Sequence, residues 1–235
     1  KDLSAPKRLV FAYARMTMSA LLFNRDPQKI LIVGLGGGTL PEAFFDLLDN
    51  VKIDTVEIDP AVIKVAKEYF LFEDNERKRV IAQDARVFIK RAILQSTEYD
   101  LVILDAFNGD YIPEHLMTKE FLLEVQKVLS RDGVLVANTF GTSKLYDYES
   151  NTYQDVFGSF INYKRPETGN RLIVVPQAKL DFEERDPIDA AELIQIAREL
   201  ESKMSKLEVP IIRYARELPR KMLSKPDWDQ NTGII

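Results

Sequence analysis

Between residues 29 and 38 a short apolar run, Ile30-Leu31-Ile32-Val33, passes without a break into Gly34-Leu35-Gly36-Gly37-Gly38. The run is short and three of its four residues are β-branched, which predicts a strand buried on both faces. Glycines placed directly after such a strand let the backbone turn sharply and come close to a ligand. A helical pattern starts at Thr39, where Thr39-Leu40-Pro41-Glu42 fits a capping box. Strand, tight turn and helix together open a βαβ unit, which restricts the chain to α/β architectures with a parallel sheet.

The pattern then repeats. A second strand over 51–58 ends at Glu57-Ile58-Asp59-Pro60, where Asp59 can cap a helix whose first position is Pro60. A third strand, near Lys78 to Ala82, leads into a helix starting at Ala85. The fourth, Tyr99 to Leu104, stops at Asp105 and a loop containing Asn108, Gly109 and Pro113. A helix over 118–129 precedes a fifth strand over 134–138, and residues 161–175 hold two further strand candidates that can close the sheet as an antiparallel hairpin. Past the acidic stretch 181–186, Leu193, Ile196, Ala197, Leu200 and Met204 form one apolar helical stripe, whose simplest role is core packing. We therefore divide the chain into a lead-in helix over 1–27, a nucleoside-binding catalytic domain over 28–178 and a helical extension over 179–235. Lys1 in place of an initiating Met suggests trimmed ends.

Composition narrows the function. The chain has 235 residues, 46% of them hydrophobic, and a net charge of −5 with no basic cluster, which argues against a nucleic-acid partner. No apolar run approaches the roughly 20 residues of a membrane span, so a membrane partner is not expected. Cysteine is absent and His115 is the only histidine, so neither a thiolate nor a histidine-rich metal site can be built and no metal is expected. The lack of cysteine fits a reducing cytoplasm.

Sheets of this kind bind ligands at the carboxyl ends of their strands. There stand the glycines Gly34, Gly36, Gly37 and Gly38. The last glycine of the dinucleotide pattern G-x-G-x-x-G is replaced by Thr39, which shifts weight away from nicotinamide and flavin enzymes. Glu57 is spaced to accept hydrogen bonds from both hydroxyls of a ribose. Asp84 can accept from an adenine amino group or cap the next helix, roles that are compatible. Asp105 ends the central strand beside a loop long enough to cover a substrate, and is the candidate catalytic group. His115 lacks a G-x-S-x-G nucleophile to serve, and is read as a loop residue near the site.

Phe11-Ala12-Tyr13-Ala14-Arg15-Met16, the run from Ile30 to Gly38, Val56-Glu57-Ile58-Asp59, Gln83-Asp84-Ala85 and the segment Tyr99 to Asp105 resemble, in order and spacing, the spermidine synthase (polyamine aminopropyltransferase) family. The loop from Asp105 to Phe121 is similar to its divergent, spermidine synthase-like branch. The resemblance implies a Rossmann-like fold of the S-adenosylmethionine-dependent methyltransferase type, decarboxylated S-adenosylmethionine as donor, an amine as acceptor, methylthioadenosine as by-product and a homodimer. By position it implies that Gly34, Gly36, Gly37 and Gly38 form the nucleoside loop, Glu57 holds the ribose, Asp84 the adenine, and Asp105 is the catalytic aspartate. Tyr13 and Asn108 would face the acceptor, although Tyr13 also falls on an apolar stripe with Leu9 and Met16. The small N-terminal β domain that the resemblance implies, with its ligand-binding glutamines, is missing here or cut away.

Thr39, Arg15 and Asn108 stand where the family carries acids. Each lost carboxylate weakens a pocket for a cation, and an inward-pointing Arg15 would repel one, so an ordinary diamine is not the expected acceptor. Two other readings share the glycines, Glu57 and Asp84: a methyltransferase using S-adenosylmethionine, and a nucleoside-binding module without turnover.

Overall fold

In the computed structural model, residues 1–107, 111–177, 189–222 and 225–235 are described. The strands are β1 (Lys29–Val33), β2 (Lys52–Glu57), β3 (Lys78–Ala82), β4 (Tyr99–Leu104), β5 (Leu129–Phe140), β6 (Ile161–Lys164) and β7 (Asn170–Pro176). They form one seven-stranded sheet in the order β3-β2-β1-β4-β5-β7-β6. β1 to β5 run parallel, and β7 returns antiparallel to both β5 and β6. This is the Rossmann-like, methyltransferase-type sheet, with the expected hairpin at its edge.

The helices are α1 (Ala12–Thr17), α2 (Thr39–Leu47), α3 (Pro60–Tyr69), α4 (Ala85–Leu94), α5 (Lys119–Val128), α6 (Tyr146–Phe157), α7 (Ala190–Ser205) and α8 (Ile211–Met222). Alternate residues of each strand face opposite sides. Ile30, Ile32, Leu101 and Ile103 meet α2, α7, α8 and the lead-in segment, where α1 passes into a 3-10 turn at Met18–Leu22. Leu31, Val33, Val102 and Leu104 meet α4, α5 and α6 on the other side. Burial on both faces explains why the central strands are continuously apolar.

Several local features differ from the sequence expectation. α2 has no capping box: its N-cap is Gly38, left-handed at φ +71, without a side-chain cap bond. Glu42 instead takes the ammonium of Lys78, a β3 side chain buried under the rings of Phe45 and Phe72. A buried cation left unpaired costs more than a missing cap, so tertiary demand overrides the local motif. β5 begins at Leu129, which pairs with Tyr99 before a register shift leads to the Leu101–Val134 pair. α6 lies where no helix was expected, while α7 and α8 both fall within the span read as a helical extension. The stripe on α7 is buried at Leu193, Ile196, Ala197 and Met204, as expected of core packing.

The register positions the site. Val33 pairs with Val56 on one side and Leu104 on the other, so Gly34, Glu57 and Asp105 leave the sheet side by side. Gly34 N donates to Val56 O and Asp105 N donates to Val33 O, each at 2.8 Å. The strand order reverses between β1 and β4, where such sheets open a crevice at their carboxyl ends.

Candidate active site

At that reversal lies a cleft of about 690 Å³, within the size range of small-molecule sites. It brings together the glycine loop, Glu57, Asp84, Asp105, Tyr13 and His115. Among the described residues no group of three His, Cys, Asp or Glu side chains has metal-binding spacing, and no helix is long and apolar enough to cross a membrane.

The glycines divide their work. Gly34, at φ +99, passes so close to the β4 end that an added Cβ would lie 2.3 Å from Asp105 O. Gly38 is pressed against the Phe72 ring and is not part of the cleft wall. Gly36 and Gly37 line the cleft; a Cβ added at Gly36 would meet open space, and one added at Gly37 would come no closer than 3.4 Å, to the Phe70 ring. The loop can thus bring a ligand against backbone at two positions while the outer glycines satisfy packing.

Glu57 is fixed from both sides. Its Oε2 accepts from Leu35 N at 3.0 Å and its Oε1 from Asp59 N at 3.1 Å. Each oxygen keeps a second lone pair, the geometry needed to accept from two neighbouring hydroxyls. Asp59 is the N-cap of α3, accepting from Ala61 N at 2.8 Å. Asp84 caps α4 with Oδ1, accepting from Val87 N at 2.9 Å, while its Oδ2 lies 3.1 Å from His115 Nε2. The short 3-10 turn Glu114–Leu116 therefore pins His115 to the same carboxylate expected to receive adenine.

Asp105 lies at the base of the cleft. Oδ1 accepts from Asn138 Nδ2 at 2.8 Å, and Oδ2 faces the Tyr13 hydroxyl at 3.5 Å. Burial pushes its pKa up to about 7, with the hydrogen bonds from Asn138 and Tyr13 pulling the other way. Burial and the neighbouring carboxylate raise the Tyr13 phenol, so it remains a neutral donor. Phe11 stacks on Tyr13 at 5.9 Å between centroids, and Phe107 meets Phe140 edge-on at 5.0 Å. This half of the cleft is a carboxylate framed by aromatic faces, a setting that suits a cation.

Arg15 does not point inward. Its guanidinium donates to the carbonyls of Leu9, at 2.5 Å, and Val10, at 2.7 Å, away from the cleft. The expected repulsion of a cation by Arg15 is therefore removed, because two backbone acceptors already hold that side chain. Thr39 lines the cleft, and Asn108 lies outside the described residues. Leu9 is fully buried but precedes α1, while Tyr13 both packs against the core and reaches Asp105.

A sequence model of the spermine/spermidine synthase domain matches residues 10–178. The chain belongs to the spermine/spermidine synthase family. A polyamine aminopropyltransferase from Vibrio vulnificus is 48% identical over 230 residues, covering 97% of this chain and 73% of that protein. A probable spermidine synthase from Corynebacterium glutamicum has the same fold at a TM-score of 0.67 and 22% identity, over 99% of this chain and 86% of that one. Human methyltransferase-like protein 13 in complex with SAH superposes at 0.63 with 23% identity, over 93% of each chain. At these identities the two structures speak to the fold alone.

Sequence reasoning missed Asn138 and the pairing of His115 with Asp84. Asn138 carried the signal that exposed Asp105, a polar residue at the carboxyl end of an apolar central strand, one strand further along. The His115 contact joins residues 31 apart through a loop, and no local pattern announces it.

Proposed function

We propose that this protein transfers an aminopropyl group from decarboxylated S-adenosylmethionine to an amine, releasing methylthioadenosine. The observation that carries the reading is the Asp105 carboxylate at the base of the cleft, between the glycine loop and the aromatic wall of Tyr13, Phe11 and Phe107. The 48% identity to a polyamine aminopropyltransferase over almost the whole chain supports it.

The adenosyl part of the donor would lie along Gly36 and Gly37, with its ribose hydroxyls donating to Glu57 and its adenine amino group to Asp84. The sulfonium would then stand above the β4 end, beside Asp105. A neutral amine nitrogen attacks the propyl carbon attached to sulfur. The carbon–sulfur bond breaks as the carbon–nitrogen bond forms, and the electron pair passes to sulfur, which becomes a neutral thioether. The new ammonium gives up a proton, for which Asp105 is the acceptor. An aspartate with a pKa near 7 is a far better base than one at the ordinary value of about 3.9, yet is half ionised at neutral pH. The aromatic faces can favour the bound cation by about 0.5 to 2 kcal/mol.

Calorimetry and a methylthioadenosine-release assay test the proposal with two donors, S-adenosylmethionine and its decarboxylated form, and a panel of mono-, di- and triamines. Release from the decarboxylated donor is the expected outcome. Methyl transfer from S-adenosylmethionine without it would make the protein a methyltransferase, and binding without any product would leave a nucleoside-binding module. The same reading includes a homodimer, to be checked by light scattering, and a cytoplasmic location.

A further inference from the structure

Beyond the cleft, a ladder of polar side chains leads away from Asp105 through the β5 and β7 strand ends. Asn138 Nδ2 donates to Asp105 Oδ1 at 2.8 Å, and Asn170 Nδ2 donates to Asn138 Oδ1 at 3.0 Å. Thr168 Oγ1 donates to Asn170 Oδ1 at 2.7 Å and accepts from Asn170 N at 3.1 Å. Each amide therefore donates toward Asp105 and accepts from the side away from it. Asn138 is buried, and Asn170 is not among the residues lining the cleft.

A primary amide presents a donor and an acceptor of nearly the same shape, so Asn138 taken alone could turn either end toward the carboxylate. Turned the other way, its oxygen would face Asp105 Oδ1, and the ionised carboxylate would lose a hydrogen bond and gain a repulsion. We infer that Asn170, held by Thr168, is a positioning residue for the transfer reaction: it fixes the Asn138 amide in the donating orientation and so keeps the Asp105 carboxylate ionised and aimed into the cleft. The inference rests on Asp105 being the proton acceptor of the proposed function.

The other titratable groups near Asp105 do not replace this ladder. Tyr13, from α1, touches Oδ2. Glu57 and Asp59 at the end of β2, Asp84 at the start of α4, His115 on the 3-10 turn and Lys1 stand along the cleft without a hydrogen bond to Asp105. Glu149 on α6 is tied to the buried Arg171 of β7. Asn138 is the short-range donor to Oδ1, and its orientation is the variable Asn170 controls.

The test compares the wild type with Asn170→Ala and with Thr168→Val, which changes no charge. For each, kcat, KM for the decarboxylated donor and the pH dependence of kcat/KM are measured, together with methylthioadenosine affinity. The expected result for Asn170→Ala is about a tenfold loss in kcat, smaller than the roughly 10² to 10⁴ that complete loss of general-base help costs because Asp105 itself remains, and an acidic limb displaced to higher pH. KM and methylthioadenosine Kd should stay within about twofold. Thr168→Val should move the same limb in the same direction by less. Limbs that coincide with wild type in both variants overturn the inference, as does a loss shared equally between nucleoside binding and turnover. Asp105→Asn, run alongside, separates the two claims. If it turns over at the wild-type rate the proposed mechanism fails with the ladder, whereas a dead Asp105→Asn beside an unaffected Asn170→Ala removes the ladder alone.

Discussion

Replacing Asp105 with Asn should stabilise the folded protein at alkaline pH while abolishing transfer. The carboxylate titrates near 7 in the folded chain and near 3.9 in the unfolded one, so between these values the native state binds the extra proton and stability falls as pH rises. At pH 8 the displacement of about three pKa units amounts to at most about 4 kcal/mol, at pH 5 to about 1.5, and below pH 4 it vanishes. The cleft is open to water, which reduces the cost, so the expected gain at pH 8 is about 2 to 4 kcal/mol. Asn keeps both contacts: its oxygen accepts from Asn138, and its amide can donate to a rotated Tyr13 hydroxyl. For a chain of this size the gain corresponds to a rise in Tm of roughly 4 to 16 °C. Differential scanning calorimetry of both proteins at pH 4, 5, 6, 7 and 8 is the assay. A difference independent of pH, or equal Tm values at pH 8, refutes a carboxylate titrating near 7 and removes the ground for treating Asp105 as a tuned base.

Other outcomes follow from the same geometry. In the free enzyme the acidic limb of kcat/KM should lie near pH 7, and the limb of kcat should lie lower, because a bound sulfonium favours the ionised carboxylate; coincident limbs in the pH–rate profiles contradict this. Glu57→Ala should weaken methylthioadenosine by about 1.5 to 3 kcal/mol in calorimetry through lost charge-assisted bonds, and unchanged affinity would sink the ribose assignment. Gly34→Ala should destabilise the fold by about 2 to 4 kcal/mol in urea titration, from the 2.3 Å approach to Asp105 O and the positive φ, whereas Gly37→Ala should fold normally. Glu149→Gln should cost about 3 to 5 kcal/mol in the same assay, since Arg171, fully buried and stacked on Tyr146, would lose its counter-charge.

The sequence by itself determined the sheet and the place of the cleft. Continuous apolar runs such as Ile30 to Val33 demand burial on both faces, alternating helices supply the cover, and right-handed crossovers leave a handful of parallel topologies, each with its ligand crevice at the carboxyl ends of the strands where Gly34, Glu57 and Asp105 stand. Asp59 and Asp84 announced their capping because that chemistry is local, with the acceptor two or three residues from the donor. What lacked local expression was not legible. α6 buries Glu149, Ser150, Asn151 and Thr152, so it shows no apolar stripe, and its cover is Arg171 and a C-terminal segment in which Trp228 Nε1 donates to Asn151 Oδ1 at 3.0 Å. Glu42 had a plausible cap to serve until the fold set Lys78 beside it. Arg15 reads as an intruder in a cationic pocket until the chain turns its head onto the carbonyls of residues 9 and 10. The ladder from Thr168 to Asp105 joins three segments of the chain, and only strand pairing makes them neighbours. Tertiary structure decided these features because a buried charge or amide must find a partner wherever the fold provides one, and sequence separation does not enter that requirement.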